Sequence, residues 1–348
     1  MPASATPSPS ASGSSSFDLI GVGSPIMDLF ARVPDAFLRN VAGEKGGMVL
    51  VDHDEMQRII GLLDGEPAYS TGGSAANATY NAARLGLRAT FLGKLGHDSL
   101  ARVYRDSFVA AGVDGSRFKQ HAARANARCL ALVTPDAQRT LRTDLGAAMT
   151  LAPAEISAAD FQGCRHAHIE GYLVFNRDLA EAVLASARAA GCTTSLDLSS
   201  FEVVNASRDW LFRQFKQGID IVFANEDEIR ALFPDDKTAS YDALARRLAG
   251  HGVLAAVKVG KDGAWLAHGQ ELHRIAPVSV ADVVDTNGAG DAWAAGFLYG
   301  HLRNWSLPAS GALASLIGAE TVMHMGPIIP DTHWQVVHPK AMALGPKK

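Results

Sequence analysis

HAHIEGYLVFNRDLAEAVLASARAAGCTTSLDLS, residues 166–199, decides the fold class. A short apolar run over 166–171 is followed by a segment with helical spacing and then by a second short apolar run over 193–199. The same alternation continues through apolar runs at 219–228 and 254–260. Strand–helix–strand units of this kind join parallel strands through right-handed crossovers. We therefore predict an α/β fold built on a parallel sheet.

Two stretches of the N-terminal half interrupt this alternation. Residues 30–52 and 120–145 each contain strand-like segments separated by turns, and together they would form a small lid sheet. The second stretch carries Arg139 and Arg142, whose guanidinium groups could reach a phosphate. Arginines on an exposed hairpin are otherwise simply solvated.

Composition limits the classes of partner. The chain has 348 residues, of which 47% are hydrophobic and 20% charged, so it can bury a large core. Its formal net charge is −4, and no basic run alternates with aromatic residues, so we expect no nucleic-acid partner. No stretch reaches the roughly 18 consecutive apolar residues of a membrane span, so we expect no membrane partner.

The termini and the cysteines indicate a cytoplasmic protein. Residues 1–16 are rich in Pro, Ser and Ala and lack the apolar core of a signal peptide, which predicts a disordered tail. The three cysteines show no CxxC spacing, as expected for reduced thiols. We expect one folded domain over residues 17–335 and a C-terminal tail over 336–348.

Residues 283–297, VVDTNGAGDAWAAGF, carry the strongest chemical signal. The β-branched pair at 283–284 is typical of the end of a strand, and a turn of small residues at 288–290 precedes a run with helical spacing. Backbone N–H groups of such a turn bind anions, phosphate above all. Asp291 lies beside that site, where it could take a proton from an attacking hydroxyl. The alternative is a helix N-terminus with a tight turn and a favourable acidic residue.

Two further segments place polar groups near predicted strand ends. Asp28 follows the strand-like run 17–23, although an aspartate there is also typical of an ordinary turn or cap. The small residues Gly72 and Gly73 precede a helix in which Asn77 could hydrogen-bond a hydroxyl, with close helix packing as the alternative. A dinucleotide fingerprint is excluded because the third glycine of the pattern is missing at position 26.

Asn225 and Glu228 directly follow the strand-like run that begins at residue 219. Amide and carboxylate groups at the carboxyl edge of a parallel sheet suit Mg²⁺ held largely through water. An acidic helix N-terminus is the alternative, since it complements the helix dipole. No Walker A motif occurs, because Lys94 is followed by Leu95 and not by Ser or Thr.

In combination, these motifs resemble the ribokinase/PfkB carbohydrate kinase family over roughly residues 17–330. The DTxGAGD signature of that family is matched by Asp285, Thr286, Gly288, Ala289, Gly290 and Asp291. The Gly-Gly signature resembles Gly72 and Gly73, the N-x-x-E element matches Asn225 and Glu228, and the nucleotide-site glycine resembles Gly260, followed by Gly263. The resemblance implies a doubly wound, mostly parallel sheet with helices on both faces and a small β-sheet lid.

The resemblance also implies roles for these residues. Asp291 would be the catalytic base, and the N–H groups of Gly288, Ala289 and Gly290 would form an anion hole. Asp28, Gly72, Gly73, Asn77 and Arg142 would bind the substrate, whereas Asn225, Gly260, Gly263 and Thr286 would bind ATP. Asn225 and Glu228 would organise Mg²⁺. Some members also use K⁺ near Asp285 and Gly326, which leaves K⁺ open as a third cofactor.

Within the family, GVGSPIMDL, CLALVTPDAQRTLRTDLGA and ASLIGAETVMHMGP most resemble bacterial adenosine kinase-like members. The resemblance implies ATP-dependent phosphorylation of a primary hydroxyl of a ribonucleoside, adenosine giving AMP. Apolar contacts to the base would come from Met48, Leu50, Tyr172 and Phe175. AAVKVGKDGAWL instead resembles sugar kinases, so a sugar or sugar acid is the alternative acceptor. A non-catalytic ligand sensor is a third hypothesis, and either a monomer or a homodimer is expected.

Overall fold

The computed structural model describes residues 16–346. Within these residues the strands are β1 (Phe17–Val22), β2 (Ile26–Arg32), β3 (Met48–Leu50), β4 (Ala68–Gly72), β5 (Ala89–Leu92), β6 (Lys94–Leu95), β7 (Val113–Asp114), β8 (Lys119–Gln120), β9 (Ala127–Val133), β10 (Arg139–Asp144), β11 (Cys164–Glu170), β12 (Thr193–Asp197), β13 (Ile221–Ala224), β14 (Leu254–Lys258), β15 (Ala264–His268) and β16 (Glu271–Ile275). The tail expected over 1–16 lies, except for Ser16, outside the described residues.

The α-helices of the same region connect and cover these strands. They are α1 (His53–Gly61), α2 (Ser74–Leu85), α3 (Ser99–Ala110), α4 (Arg177–Ala189), α5 (Phe201–Lys216), α6 (Glu226–Leu232), α7 (Tyr241–Ala249), α8 (Ala289–Leu302), α9 (Leu307–Val322) and α10 (Asp331–Ala343).

The larger sheet confirms the predicted parallel architecture. Its nine described strands lie in the order β16-β15-β14-β13-β12-β11-β1-β5-β7. All neighbours from β14 to β7 pair in parallel, and only the β14–β15 and β15–β16 pairs are antiparallel. From β1 the chain proceeds outward through β5 and β7, and from β11 it proceeds outward in the opposite direction. This reversal between β1 and β11 is where open α/β sheets bind ligands, at the carboxyl ends of their strands.

Helices cover both faces of this sheet. Successive strand residues point to opposite faces, so neighbouring residues pack against different helices. Leu19 packs in a cluster with side chains of α2, α8, α9 and α10, whereas its neighbour Ile20 packs in a second cluster with side chains of α4 to α7. Ile221 and Val222 divide between the same two clusters. The near-continuous apolar character of the central strands follows from this burial on both faces.

The small lid sheet is also present, and it extends beyond the two predicted segments. Its five strands lie in the order β3-β10-β9-β2-β4, so that β4 and the start of β2 belong to it as well. On its inner face, Met27 and Leu130 belong to the same buried cluster as Tyr104 and Phe108 of α3.

Two local expectations were wrong. The C-terminal tail expected over 336–348 is helical as far as Ala343, and Trp334, Val337 and Ala341 of α10 are buried. The strand expected to end at Val284 is not formed. Val283 and Val284 are 59% and 53% exposed, and the N–H of Val284 donates to the carbonyl of Val322 instead of pairing in a sheet. Over the described residues, none of the helices has the length and apolarity needed to span a bilayer.

Candidate active site

Polar residues line the carboxyl edge of the parallel strands. Glu170 ends β11, Asp197 ends β12, Lys258 ends β14, and Asn225 directly follows β13. Because these strands are parallel and adjacent, their carboxyl ends lie at one edge of the sheet. The turn at 288–290 and the N-terminus of α8 come to the same edge, since Gly290 lies against Lys258.

The turn before α8 has the geometry of an anion site. Gly288 adopts a left-handed conformation with φ of 73°, which glycine favours, and the helix begins at Ala289. The N–H of Ala289 donates back to the carbonyl of Thr286 at 3.3 Å, a long bond. In the described part of the chain, the N–H groups of Gly288 and Gly290 have no backbone acceptor. These groups, at the positive end of the α8 dipole, can therefore bind an anion.

Asp291 lies in the first turn of α8 and accepts two hydrogen bonds from the first turn of α2. Ser74 Oγ donates to Oδ1 at 2.9 Å, and Asn77 Nδ2 donates to Oδ2 at 2.8 Å. Burial raises the pKa of Asp291 to about 7, with Asp197 adding to the rise and the bonds from Asn77 and Ser74 opposing it. A fixed carboxylate with a pKa near neutrality is suited to general-base catalysis.

Asp28 lies close to this carboxylate, but not in the loop position predicted for it. It is the third residue of β2 and pairs with Ser70 of β4. Burial raises its pKa to about 7; a hydrogen bond with Asn287 opposes the rise, and the charge of Asp291 increases it. A Cβ on Gly72 would lie 2.5 Å from Oδ2 of Asp28, so this position tolerates no side chain. Gly73 is the N-cap of α2, with φ of 100°.

Lys258 forms an ion pair with Asp197 that crosses the end of β13. The distance between Lys258 Nζ and Asp197 Oδ2 is 2.9 Å, and the two side chains are 13% and 5% exposed. Burial lowers the pKa of Lys258, but Asp197 and Glu228 more than offset this effect and hold the pKa above its ordinary value. Lys258 therefore carries a fixed positive charge at the floor of the site.

Asn225 and Glu228 form a capping box at the start of α6. Asn225 Oδ1 accepts from the N–H of Glu228 at 2.9 Å, while Glu228 Oε2 accepts from the N–H of Asn225 at 2.8 Å. Burial raises the pKa of the Glu228 carboxyl, and the nearby Asp197 raises it further. The capping interpretation of this segment is thus confirmed. The Glu228 carboxylate also contributes negative charge to the site, and its role toward Mg²⁺ stays a prediction.

The acidic groups of the site fit a divalent cation held mostly by water. Asp197, Glu228 and Asp291 are three neighbouring carboxylates, and Lys258 is the cation that offsets all of them. Within residues 16–346, however, no cluster of three His, Cys, Asp or Glu side chains has the spacing of a direct metal site. A magnesium ion would therefore take most of its ligands from water and from the phosphates of a nucleotide.

Of the residues predicted to bind ATP, Gly260 lies close to the start of α6, where Asn225 is found. A Cβ on Gly260 would lie 3.2 Å from Oε1 of Glu226, so the loop after β14 lies beside the start of α6. Glycine is favoured at position 263 for a structural reason, since its φ is 96° in the turn that joins β14 to β15. Thr286 is exposed, one residue before Asn287.

The two arginines of the lid sheet have different surroundings. Arg142 is 1% exposed, and its guanidinium donates to the carbonyls of Ala42, Gly47 and Leu141. The structure therefore does not bear out the expectation that Arg142 contacts substrate, because its donors hold the lid together. Arg139 instead reaches the carboxylate of Asp285 at 2.6 Å.

Asp285 has two further donors besides Arg139. Its carboxylate also accepts from the N–H of Gly326 at 2.8 Å and from the N–H of Asn287 at 2.9 Å. The segments near Asp285 and Gly326 thus meet, as the expected K⁺ site requires. The Asp285 side chain itself already has a cationic partner in Arg139.

Several residues of the site escaped the sequence analysis as functional groups. Ser74 belongs to a turn of small residues before a helix, and Lys258 and Asp197 have the appearance of strand residues. Their position as the last residues of parallel strands was the available signal. Glu170, with a pKa that burial raises to about 7, shares that position.

Comparison with known proteins agrees with this geometry. A model of the pfkB family of carbohydrate kinases matches residues 47–334. The crystal structure of an adenosine kinase from Sinorhizobium meliloti superposes with a TM-score of 0.82 at 31% identity, covering 94% of this chain and 99% of that one.

Curated relatives differ in the acceptor that they phosphorylate. An adenosine kinase of Saccharomyces cerevisiae is 26% identical over 90% of this chain and 97% of its own length. An ATP-dependent ribose-1-phosphate kinase of Halopiger xanaduensis is 30% identical over 74% of this chain and 82% of its own length. The ribokinase-like fold and the kinase assignment are thus confirmed, and the chain is an ATP-dependent kinase that belongs to the pfkB family of carbohydrate kinases.

Proposed function

We propose that this kinase transfers the γ-phosphoryl group of ATP to a primary hydroxyl of a ribonucleoside, with adenosine as the substrate and AMP as the product. The observation that carries the proposal is the position of Asp291. Its carboxylate, with a pKa of about 7, follows directly after Gly290, whose N–H group has no backbone acceptor in the described residues. A base and an anion site are thus adjacent.

The reaction that this arrangement supports is a direct transfer. Asp291 accepts the proton of the acceptor hydroxyl while the acceptor oxygen bonds to the γ-phosphorus. The bond from that phosphorus to the bridging oxygen breaks, and its electron pair leaves with ADP. The N–H groups of Gly288 and Gly290 stabilise the negative charge on the transferred group.

Asp28 and the α2 N-terminus are suited to hold the acceptor. The Asp28 carboxylate lies near Asp291 and packs against Gly72, where a side chain would displace it. Vicinal ribose hydroxyls are donors that a carboxylate accepts well. The amide N–H₂ of Asn77 orients Asp291, and the contact of Asn77 with an acceptor hydroxyl stays a prediction.

Magnesium would neutralise the phosphates and the surrounding carboxylates when bound with ATP. The residues that would hold it, through water, are Glu228 and Asn225, and the three carboxylates around Lys258 leave a net negative charge for it to offset. A requirement for K⁺ has less support, because Arg139 already neutralises Asp285.

A nucleoside acceptor has two lines of support. The adenosine kinases of S. meliloti and S. cerevisiae resemble the chain over at least 90% of its length. In addition, Met48, Leu50, Tyr172 and Phe175 are 46–60% exposed, so these side chains are not part of the core and are free to contact a purine.

A sugar acceptor is the alternative, favoured by the similarity to the ribose-1-phosphate kinase. A non-catalytic sensor is disfavoured, since binding without turnover requires neither Asp291 nor an anion site beside it.

A single panel of acceptors tests the proposal. Initial rates with Mg·ATP are measured for adenosine, inosine, ribose, ribose-1-phosphate, fructose and 2-keto-3-deoxygluconate under identical conditions. The proposal expects adenosine to have the highest kcat/KM. A sugar that turns over well while adenosine is inert would reject the nucleoside assignment, and the absence of any turnover would favour the sensor.

A further inference from the structure

The ammonium group of Lys258 has unused hydrogen-bonding capacity beside the anion site. Lysine carries three N–H donors. In the described part of the chain, Asp197 is the acceptor that Lys258 Nζ contacts, at 2.9 Å. The side chain is only 13% exposed, so little water reaches the remaining donors.

The remaining N–H donors of Lys258 lie close to the 288–290 turn. A Cβ built on Gly290 would lie 3.2 Å from Lys258 Nζ. The ammonium therefore lies beside the turn whose N–H groups have no backbone acceptor in the described residues. Because Gly290 has no side chain, none separates the ammonium from the turn. An anion bound by the turn would lie within reach of this fixed charge.

The position of Asp197 explains why the lysine side chain extends across the sheet edge. Asp197 and Lys258 end strands that lie on either side of β13. The ion pair therefore crosses the end of β13, on the sheet face to which Phe223 points. Two carboxylates besides Asp197 also act on the ammonium, those of Glu228 and Asp291.

We propose that Lys258 belongs to the phosphoryl-binding site, where its ammonium binds the transferred phosphoryl group together with the 288–290 turn, and that Asp197 is its positioning residue. This inference rests on the proposed phosphoryl transfer. The lysine keeps its proton throughout and contributes charge, not acid–base chemistry. It compensates the negative charge that the phosphoryl oxygens bring into a site that is already acidic.

The experiment compares Lys258→Met, which removes the charge, with Lys258→Arg, which keeps it. Equilibrium binding of a non-hydrolysable ATP analogue and of adenosine is measured by calorimetry, alongside kcat and KM. We expect Lys258→Met to weaken binding of the analogue about tenfold or more and to lower kcat on the order of 10²–10³-fold. Adenosine binding should stay within about threefold of wild type, and Lys258→Arg should recover part of both losses. Lys237→Met, at an exposed lysine, is the matched control.

The double variant Lys258→Met/Asp197→Asn separates this role from a purely structural ion pair. Lys258→Met alone leaves the Asp197 carboxylate buried without its partner, which can destabilise the fold. The double variant removes both charges together and should therefore fold about as stably as wild type. Weak analogue binding in a stable double variant supports the proposal, whereas wild-type binding by either variant overturns it. Turnover by the wild-type enzyme tests the proposed function independently, because that result does not depend on Lys258.

Discussion

The guanidinium of Arg139, on strand β10 of the lid sheet, lies 2.6 Å from the carboxylate of Asp285, three residues before the turn that begins at Gly288. This ion pair connects the lid sheet with the anion site. Burial raises the pKa of Asp285, but Arg139 and the N–H groups of Asn287 and Gly326 together hold it below the usual value.

Replacing Arg139 with Met should destabilise the fold and loosen the turn. We expect a loss of about 1–3 kcal/mol in the free energy of unfolding at pH 7, because a buried acceptor loses its charged partner. The depressed pKa means that this stabilisation is present above the unfolded pKa of Asp285, about 3.9, and is lost as the pH falls through the folded value. Urea unfolding of Arg139→Met, Asp285→Asn and the double variant gives the coupling energy. Additive losses would show that the two side chains do not interact.

Asp291→Asn should lower kcat on the order of 10²–10⁴-fold, because the substitution removes the proposed general base and preserves the shape of the side chain. Binding of ATP should change little. Steady-state rates with the preferred acceptor measure the effect, and activity within a few-fold of wild type would contradict the assignment of Asp291.

The same variant should be more stable than wild type at pH 8. A carboxyl whose folded pKa is raised to about 7 stabilises the fold fully below its unfolded pKa, and this contribution is lost as the pH rises through 7. Thermal unfolding at pH 5 and pH 8 should therefore show a larger advantage for Asp291→Asn at pH 8. This result would also exclude misfolding as the cause of lost activity.

The pH dependence of kcat/KM should show an acidic limb with an apparent pKa near 7. Activity should rise as the pH increases through this value, because the proposed base is the unprotonated form of Asp291. Burial also raises the pKa of Asp28 and of Glu170 to about 7, so these carboxyls contribute to the limb. A limb that persists in both Asp28→Asn and Glu170→Gln is assigned to Asp291, and loss of the limb in either variant would assign it to the replaced residue.

Ser74→Ala should shift this limb to higher pH. The Ser74 hydroxyl donates to Asp291 and thereby lowers the pKa of that carboxyl. Its loss should move the limb upward by about 0.5–1 pH unit, the equivalent of one hydrogen bond. Ser157→Ala is the matched control, because that hydroxyl donates to Asp160. An unchanged limb in Ser74→Ala would show that the bond is not formed in solution.

The C-terminal helix should be necessary for stability. Trp334 is 2% exposed and packs with Val337 and Ala341 in the cluster shared with α8 and α9. Trp334→Ala should cost about 3–5 kcal/mol in the free energy of unfolding. Val336→Ala, at a position that is 49% exposed, should cost far less. Equal effects on urea midpoints would indicate that α10 does not pack as described.

Sequence periodicity was sufficient to predict the parts of the fold that depend on local pattern. Short apolar runs alternating with helical spacing identified the parallel strands, and the small residues before Asp291 identified the turn at the start of α8. The helix over 331–343 was missed because Pro339 lies inside it and normally ends a helix. The spacing of Trp334, Val337 and Ala341 along one face was the available signal.

The strand predicted before Asp285 failed for a different reason. Val283 and Val284 have high strand propensity, but propensity cannot create a partner strand, and this segment lies beside the end of α9. Contacts between distant segments were likewise beyond local pattern. The position of Lys258 against Asp197 depends on the order of strands in the sheet, which no single segment encodes.

The bond from Ser74 to Asp291 joins residues that are 217 positions apart. During synthesis, the first member of this pair leaves the ribosome long before the second has been made. No N-terminal portion of the chain that ends before α8 can therefore bind phosphate at the turn or deprotonate a hydroxyl. Catalytic competence should appear abruptly, at the end of translation, when α8 docks against α2.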